Sequence, residues 1–229
     1  GGVVYRYDTR DAQAPKLAET RDLLPGAAEV GNFGFLIGEQ SIVMTGSDGS
    51  VSVYFRLARA ATDTTDGFGL VLAHNLASHK AAATGFAPSE RGKMFVTADA
   101  DGGVRLRHST SEQTLLTLNQ TGGAPKAVAL APREDAVLVI GASGTGTVWH
   151  VSAPHPETTW ASIFGKVWYE GYEGPAYTWQ SSSGTDSFEP KLSLVPLIFG
   201  TIKATFYALL FAVPIALLAA IYTSEFVSP

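Results

Sequence analysis

A turn-and-strand unit recurs along the first two thirds of the chain, and few architectures accommodate such a repeat. One copy spans residues 84–108. It runs from Pro88 and the charged turn Ser89-Glu90-Arg91 through Met94-Phe95-Val96 to Asp101-Gly102 and the alternating Val104-Arg105-Leu106-Arg107. Residues 128–151 repeat the plan with Pro132, the turn Arg133-Glu134-Asp135, the apolar run Ala136 to Ile140, a Gly-rich turn and Thr147-Val148-Trp149. Pro88 to Pro132 and Val104 to Val148 are each 44 residues apart, so turn and strand return in register. A third copy starts upstream at Gln40, with Asp48-Gly49 standing 53 residues before Asp101-Gly102. Its extra residues fall between Leu57 and Leu76, where Ala58 to Asp63 and Asp66-Gly67 predict a longer surface connection. In the copy at 128–151, Thr145 is read as replacing the turn Asp.

A β-rich run, a Gly/Asp/Ser turn and a second alternating run make a hairpin. Units of about 40–45 residues built from hairpins predict β-propeller blades, which bury their faces against one another. Residues 30–152 resemble WD-type and quinoprotein-type propellers, without the Gly-His or Trp-Asp pair at the expected blade positions. The expected fold is therefore mainly β, with a partial propeller over residues 1–152. Because a ring takes about four to eight blades, and some three are read here, further blades are expected before Gly1.

Composition adds a division. The 229 residues are 45% hydrophobic and 16% charged, with net charge -5 and no Cys, which excludes a disordered chain and a disulfide scaffold. Sixteen scattered Lys and Arg residues do not make a phosphate-neutralising surface, so no nucleic-acid partner is expected. From Leu192 to Ser224 the only charged residue is Lys203. Since Lys203 and Glu225 cancel, the whole net charge belongs to residues 1–191.

Ala204 to Tyr222 is charge-free, and about 20 apolar residues suffice to cross a hydrocarbon core of about 30 Å. Residues 192–229 are therefore expected to begin a membrane domain, with one transmembrane helix over about 200–224 in contact with lipid. Pro214 is a candidate hinge, because its missing N–H weakens the helix there. Lys203 and Glu225 bracket the span as interfacial anchors. Between the two parts, the linker 153–191 holds seven aromatics between Trp160 and Trp179, expected as a belt at the lipid surface or as a lid on the blades. Ser181 to Thr185 reads as a flexible joint.

The order of these parts carries a second resemblance. His155-Pro156-Glu157, Gly165 to Tyr172, Trp179 to Ser182, Phe188 to Leu197, Gly200 to Ala204, Pro214 and Ala220 to Thr223 together look like the permease subunit of bacterial phosphate ABC importers. The long variant, with a large extracytoplasmic domain before its permease core, is the most similar, and Phe188 to Leu194 and Gly200 to Tyr222 are the most specific pieces. The resemblance implies a fragment of a bacterial inner-membrane protein that forms the translocation path for inorganic phosphate, with residues 1–191 periplasmic. It further implies a second permease subunit, ATPase subunits that hydrolyse ATP and a periplasmic phosphate-binding protein as partners. The alternative is a membrane-anchored propeller acting as a sensor or assembly scaffold.

Catalytic and cofactor chemistry is not expected in this chain. Gly141 to Gly146 lacks the Gly-Lys-Ser/Thr ending of a phosphate loop, and Thr145 breaks the Gly-x-Ser-x-Gly pattern of a nucleophile elbow. His74, His79, His108, His150 and His155 form no metal-binding pair and are expected at solvated or blade-edge positions. Asp48, Asp99 and Asp101 are expected to cap turns. No catalytic, cofactor or metal residue is assigned, and the chain is not expected to be an enzyme. Because blades without neighbours leave apolar faces and an edge open, residues 1–152 expressed alone should self-associate. A monodisperse monomer with one sharp thermal transition would contradict this.

Overall fold

The structure is a computed structural model, and it describes residues 1–24, 28–58, 64–120, 123–184 and 188–226. A hairpin of β1 (Val3–Asp8) and β2 (Lys16–Asp22) comes first. A four-stranded sheet follows, formed by β3 (Val30–Phe35), β4 (Ser41–Gly46), β5 (Val51–Ala58) and β6 (Phe68–Leu76). The second sheet is β7 (Ala83–Pro88), β8 (Met94–Asp99), β9 (Gly103–His108) and β10 (Gln113–Asn119). A third, three-stranded sheet holds β11 (Pro125–Leu130), β12 (Ala136–Gly141) and β13 (Gly146–His150). Every pair is antiparallel, and strand order within each sheet follows chain order. The first strands β3, β7 and β11 are successive neighbours, so the sheets stand as blades around a common centre. This is the expected propeller fold, as an open array among the described residues.

Alternation with a period of two sends successive side chains to opposite faces of a blade. In the first blade Val43, Val53 and Phe55 join a buried cluster with Phe95 of the second blade. Ile42, Met44 and Tyr54 point the other way, where they meet Leu23 and Leu24 after the β1–β2 hairpin. The second blade repeats this arrangement, with Val96, Ala98, Val104 and Leu106 packing on Val137 and Val139 of the third. The hairpin is also tied to the first blade by charge. Arg6 reaches Asp66 Oδ2 at 2.5 Å and Glu19 Oε2 at 3.1 Å, while Glu19 accepts from the Leu70 N–H. Asp66, expected in a surface connection, thus has a buried side chain. The rest of that connection, residues 59–63, lies outside the described residues, as does Thr185 at the end of the expected joint.

The strand pairing corrects the repeat. Ala98 pairs with Val104 and Ile140 with Gly146, and Pro88 pairs with Phe95 as Leu130 does with Val137. The second and third blades therefore correspond at a spacing of 42 residues, not 44, whereas the first and second keep 53. A slip of two preserves which face each side chain takes, so hydrophobic alternation alone does not expose the error. In the corrected register Ser143, not Thr145, occupies the turn position of Asp48 and Asp101. The Ser143 hydroxyl accepts from the Thr145 N–H, as the Asp48 carboxylate does from the Ser50 N–H. Each turn then needs a left-handed residue, supplied by Gly49, Gly102 and Gly144 at φ of +82°, +92° and +81°.

After β13 the linker forms α1 (Trp160–Phe164), a single capped turn, and a minimal ladder of β14 (Trp179–Gln180) with β15 (Lys191–Leu192). The Thr159 hydroxyl accepts from the Ser162 N–H, and the Ser162 hydroxyl accepts from the Thr159 N–H, a reciprocal cap. The final helix α2 runs Val195–Phe226, 32 residues, and so extends about 48 Å. It begins some five residues earlier than expected. Pro196 sits in its first turn, where a missing N–H costs nothing, and Leu194 is already fixed by its N–H bond to the Ile163 carbonyl. No residue of α2 is buried.

Candidate functional site: the seam between linker and blades

The linker crosses the end of the blades that carries the β3–β4, β7–β8 and β9–β10 turns. Three polar contacts hold it there. Lys93, 5% exposed, places Nζ 2.7 Å from Glu170 Oε2 and 2.7 Å from the Ile37 carbonyl, while Glu170 Oε1 accepts from the Ser41 hydroxyl at 2.5 Å. His74 Nε2 lies 3.0 Å from the Trp168 carbonyl, and its Nδ1 lies 2.9 Å from Glu112 Oε1. His108 Nδ1 contacts the Ser111 hydroxyl, which donates to the Pro156 carbonyl, and His108 Nε2 faces Glu189 Oε1 at 3.7 Å. The apolar part of the seam is Trp168, set edge-on against Phe55 with ring centroids 6.1 Å apart. Its indole N–H donates to the Tyr172 carbonyl.

Burial controls the charge states in this seam. Desolvation pushes the Glu189 carboxyl up, only partly opposed by a hydrogen bond from Thr110 and by the charge of Lys93. His108 is held down to about 4, first by burial and then by the positive charge of His74 and Lys93. The Tyr169 phenol is pushed up to about 12 by burial and by Glu189. Cavities of about 170 and 210 Å³ flank the seam; His74, Glu112 and Trp168 line one, and Lys93, His108 and Glu189 line the other.

Deeper in the second blade lies a directional hydrogen-bonded chain. Arg107 Nε donates to Thr97 Oγ1 at 2.8 Å, Thr97 Oγ1 stands 2.8 Å from His79 Nε2, and His79 Nδ1 stands 2.9 Å from Asp99 Oδ2. Asp99 Oδ1 takes the N–H groups of Asp101 and Gly103, so the carboxylate closes the β8–β9 turn. All directions agree when His79 is neutral with its proton on Nδ1. Burial and the nearby Arg107 charge lower His79 to about 4, which favours that state. Hydroxyl, imidazole and carboxylate occur here in the order of a nucleophilic triad, but Thr97 is 0% exposed and no substrate reaches it. At the positions of Thr97 and Arg107 the flanking blades carry Met44 with Tyr54 and Val139 with Trp149, so the polar chain belongs to the second blade.

These findings change several expectations. His74, His79 and His108 are buried hydrogen-bonding residues, whereas His150 and His155 are exposed as expected. Asp48 and Asp99 cap turns. The linker aromatics divide: Trp168 packs against the first blade and Tyr169 is buried, whereas Trp160, Phe164, Tyr177 and Trp179 stay exposed. Pro214 lies inside an unbroken α2, where the Leu210 carbonyl loses its N–H partner. Lys203 and Glu225 are both exposed and stand about 33 Å apart along the helix, with Lys203 Nζ 5.9 Å from the Tyr207 ring. Among the described residues no group of three or more His, Asp or Glu is placed to hold a metal ion. Lys93, Glu170 and Glu189 carry no local sign in the sequence, since their partners lie far away along the chain.

No family model and no curated protein matches this sequence. Among solved structures, the β-propeller domain of Cps50 (Swd1) from Myceliophteria thermophila is similar, with a TM-score of 0.53 and 13% identity. The match covers 66% of this chain and 48% of that one, so the chain spans about half the length of that protein. At this identity the likeness is one of fold: the chain contains propeller blades.

The His79 and His108 shifts fix a pH dependence. Unfolded histidine takes up its proton near pH 6.5, but these two do so only near 4 in the fold, so the unfolded state binds more protons between those values. Their stabilisation is complete above about pH 6.5 and falls as pH drops toward about 4. Glu189 acts oppositely, since its raised value contributes stability at low pH that is lost as pH rises through its folded value. With two histidines against one carboxyl, the melting temperature should fall between about pH 7 and 5, and His79→Gln should flatten that fall. An unchanged slope in the variant would contradict the assignment.

Removing Glu170 would leave Lys93 buried beside one carbonyl. Glu170→Ala should therefore cost about 3 kcal/mol in urea unfolding, and Lys93→Met in the same chain should recover much of it. Equal stability of Glu170→Ala and the parent would show that the ion pair does not hold the seam.

Proposed function

We propose that this chain is a membrane-anchored propeller that acts as a scaffold or sensor, with the blades held at a bilayer surface by α2. The observation that carries this reading is the joining of propeller blades to a 32-residue apolar helix with no buried residue, through a linker fastened to the blade ends. Hydroxyls within α2 support a lipid environment, since Thr201, Thr223 and Ser224 each bond back to helix carbonyls. No enzymatic role is proposed: the triad-like set of side chains found among the described residues is sealed inside a blade.

A finer reading places the chain in a permease subunit of a phosphate ABC importer in a bacterial inner membrane, with residues 1–191 periplasmic. Its support is the resemblance over residues 150–229. One of its two most specific segments, Phe188 to Leu194, includes Glu189 of the seam and ends at the first turn of α2. The proposed partners are then a second permease subunit, ATPase subunits and a periplasmic phosphate-binding protein, with Pro214 as a flexing point during transport. Affinity purification of the full-length protein separates the readings. Recovery of an ATPase, together with phosphate uptake that depends on this chain, supports the importer, and uptake unaffected by its deletion overturns it. If the protein resists alkaline extraction from membranes but brings down no ATPase, the anchored scaffold stands. Release of the protein by alkaline extraction would overturn both.

A further inference from the structure

Part of the linker lies exposed beside the start of α2. Four large aromatics are exposed on it: Trp160 (80%), Phe164 (45%), Tyr177 (44%) and Trp179 (42%). An exposed aromatic is ordinary singly, but four on adjoining elements make a patch that calls for a partner. Backbone contacts fix all of them next to the start of α2. Trp179 pairs with Leu192, Ser193 N–H donates to the Thr178 carbonyl, and Leu194 N–H donates to the Ile163 carbonyl. Trp160 and Phe164 stack on one side of α1 with centroids 5.6 Å apart, while Ser162 of the same turn is buried. The intervening segment turns its other side inward, burying Val167 and Tyr169.

We infer that these four side chains form a collar that enters the head-group layer of the bilayer around the base of α2. The inference rests on the membrane-anchor reading. Continuity with the helix selects lipid as the occupant. Lys203, the expected interfacial anchor, stands at the head of the charge-free stretch from Ala204, so the turns of the 32-residue helix before it lie at the depth where Trp and Tyr rings partition. A helix of about 48 Å exceeds a hydrocarbon core of about 30 Å by about 18 Å, enough to reach through the interfacial layer on both sides. Exposed cations accompany the rings. Lys166 Nζ lies 5.6 Å from the Tyr177 ring and Lys203 Nζ 5.9 Å from the Tyr207 ring, each able to meet a lipid phosphate. The collar would fix the attitude of the blades relative to the membrane, because the same linker is fastened to both.

Tryptophan emission tests this with the full chain in vesicles of phosphatidylcholine and phosphatidylglycerol. Lipids brominated close to the head group should quench part of the parent's emission, and the double variant Trp160→Phe, Trp179→Phe should lose that quenchable part, leaving Trp149 and Trp168 unquenched. Both replaced side chains are exposed, so folding should be unaffected. Phe211→Trp in the double variant places a reporter inside the charge-free span and should be quenched by lipids brominated near the chain end. Equal quenching of parent and double variant by the shallow lipid would overturn the collar. So would an unquenched parent when the Phe211→Trp reporter is quenched, with the anchor intact. Failure to quench that reporter would remove the anchor reading and the collar with it.

Discussion

A twisted β-sheet with two apolar faces cannot stand alone in water, and this constraint organises the chain from Val3 to His150. Each blade divides its side chains between two neighbours. Val43, Val53 and Phe55 face forward to the second blade, while Ile42, Met44 and Tyr54 face back to the hairpin. The core is thus a series of interfaces rather than one centre, and a residue's energetic partners usually lie in the adjacent copy. The first strands converge at the centre and the turns gather at the two ends. One of those ends receives the linker.

The linker converts this apolar stack into something able to hold a helix in a defined place. Its fastening is mainly polar: a buried Lys93–Glu170 pair, a histidine against a backbone carbonyl, and a largely buried carboxyl at Glu189. Buried polar contacts of this kind are costly to misplace, because a small shift leaves a charge without a partner. They therefore favour one seating of the linker where an apolar contact would allow several. Glu189 stands six residues before Val195, so the seating reaches α2 through β15 and Leu194 with little intervening chain.

The repeat and the apolar span are plain in the amino-acid order because each is a local pattern, read from alternation, turn residues and the absence of charge. The spacing between the second and third blades differs by two residues from the one the prolines suggest, and for a definite reason. Proline at 88 ends a strand, whereas proline at 132 lies in a turn, and a two-residue slip leaves alternation intact. The seam is hidden by distance: Ser41 and Lys93 meet Glu170 from 129 and 77 residues away. His79 also gives no local sign. Its burial depends on Thr97, Asp99 and Arg107 of the next blade, and only this blade carries a polar set at those positions.

The blades and α2 are joined through a rigid seam. Amide hydrogen exchange of the full chain in lipid nanodiscs tests it most directly, at Val167, Ser193 and Leu194, whose N–H groups bond to Ala176, Thr178 and Ile163. Exchange at these amides should be as slow as in the β8 and β9 strands. Exchange as fast as in the exposed turn at Gly144 would show the linker to be loose and contradict it.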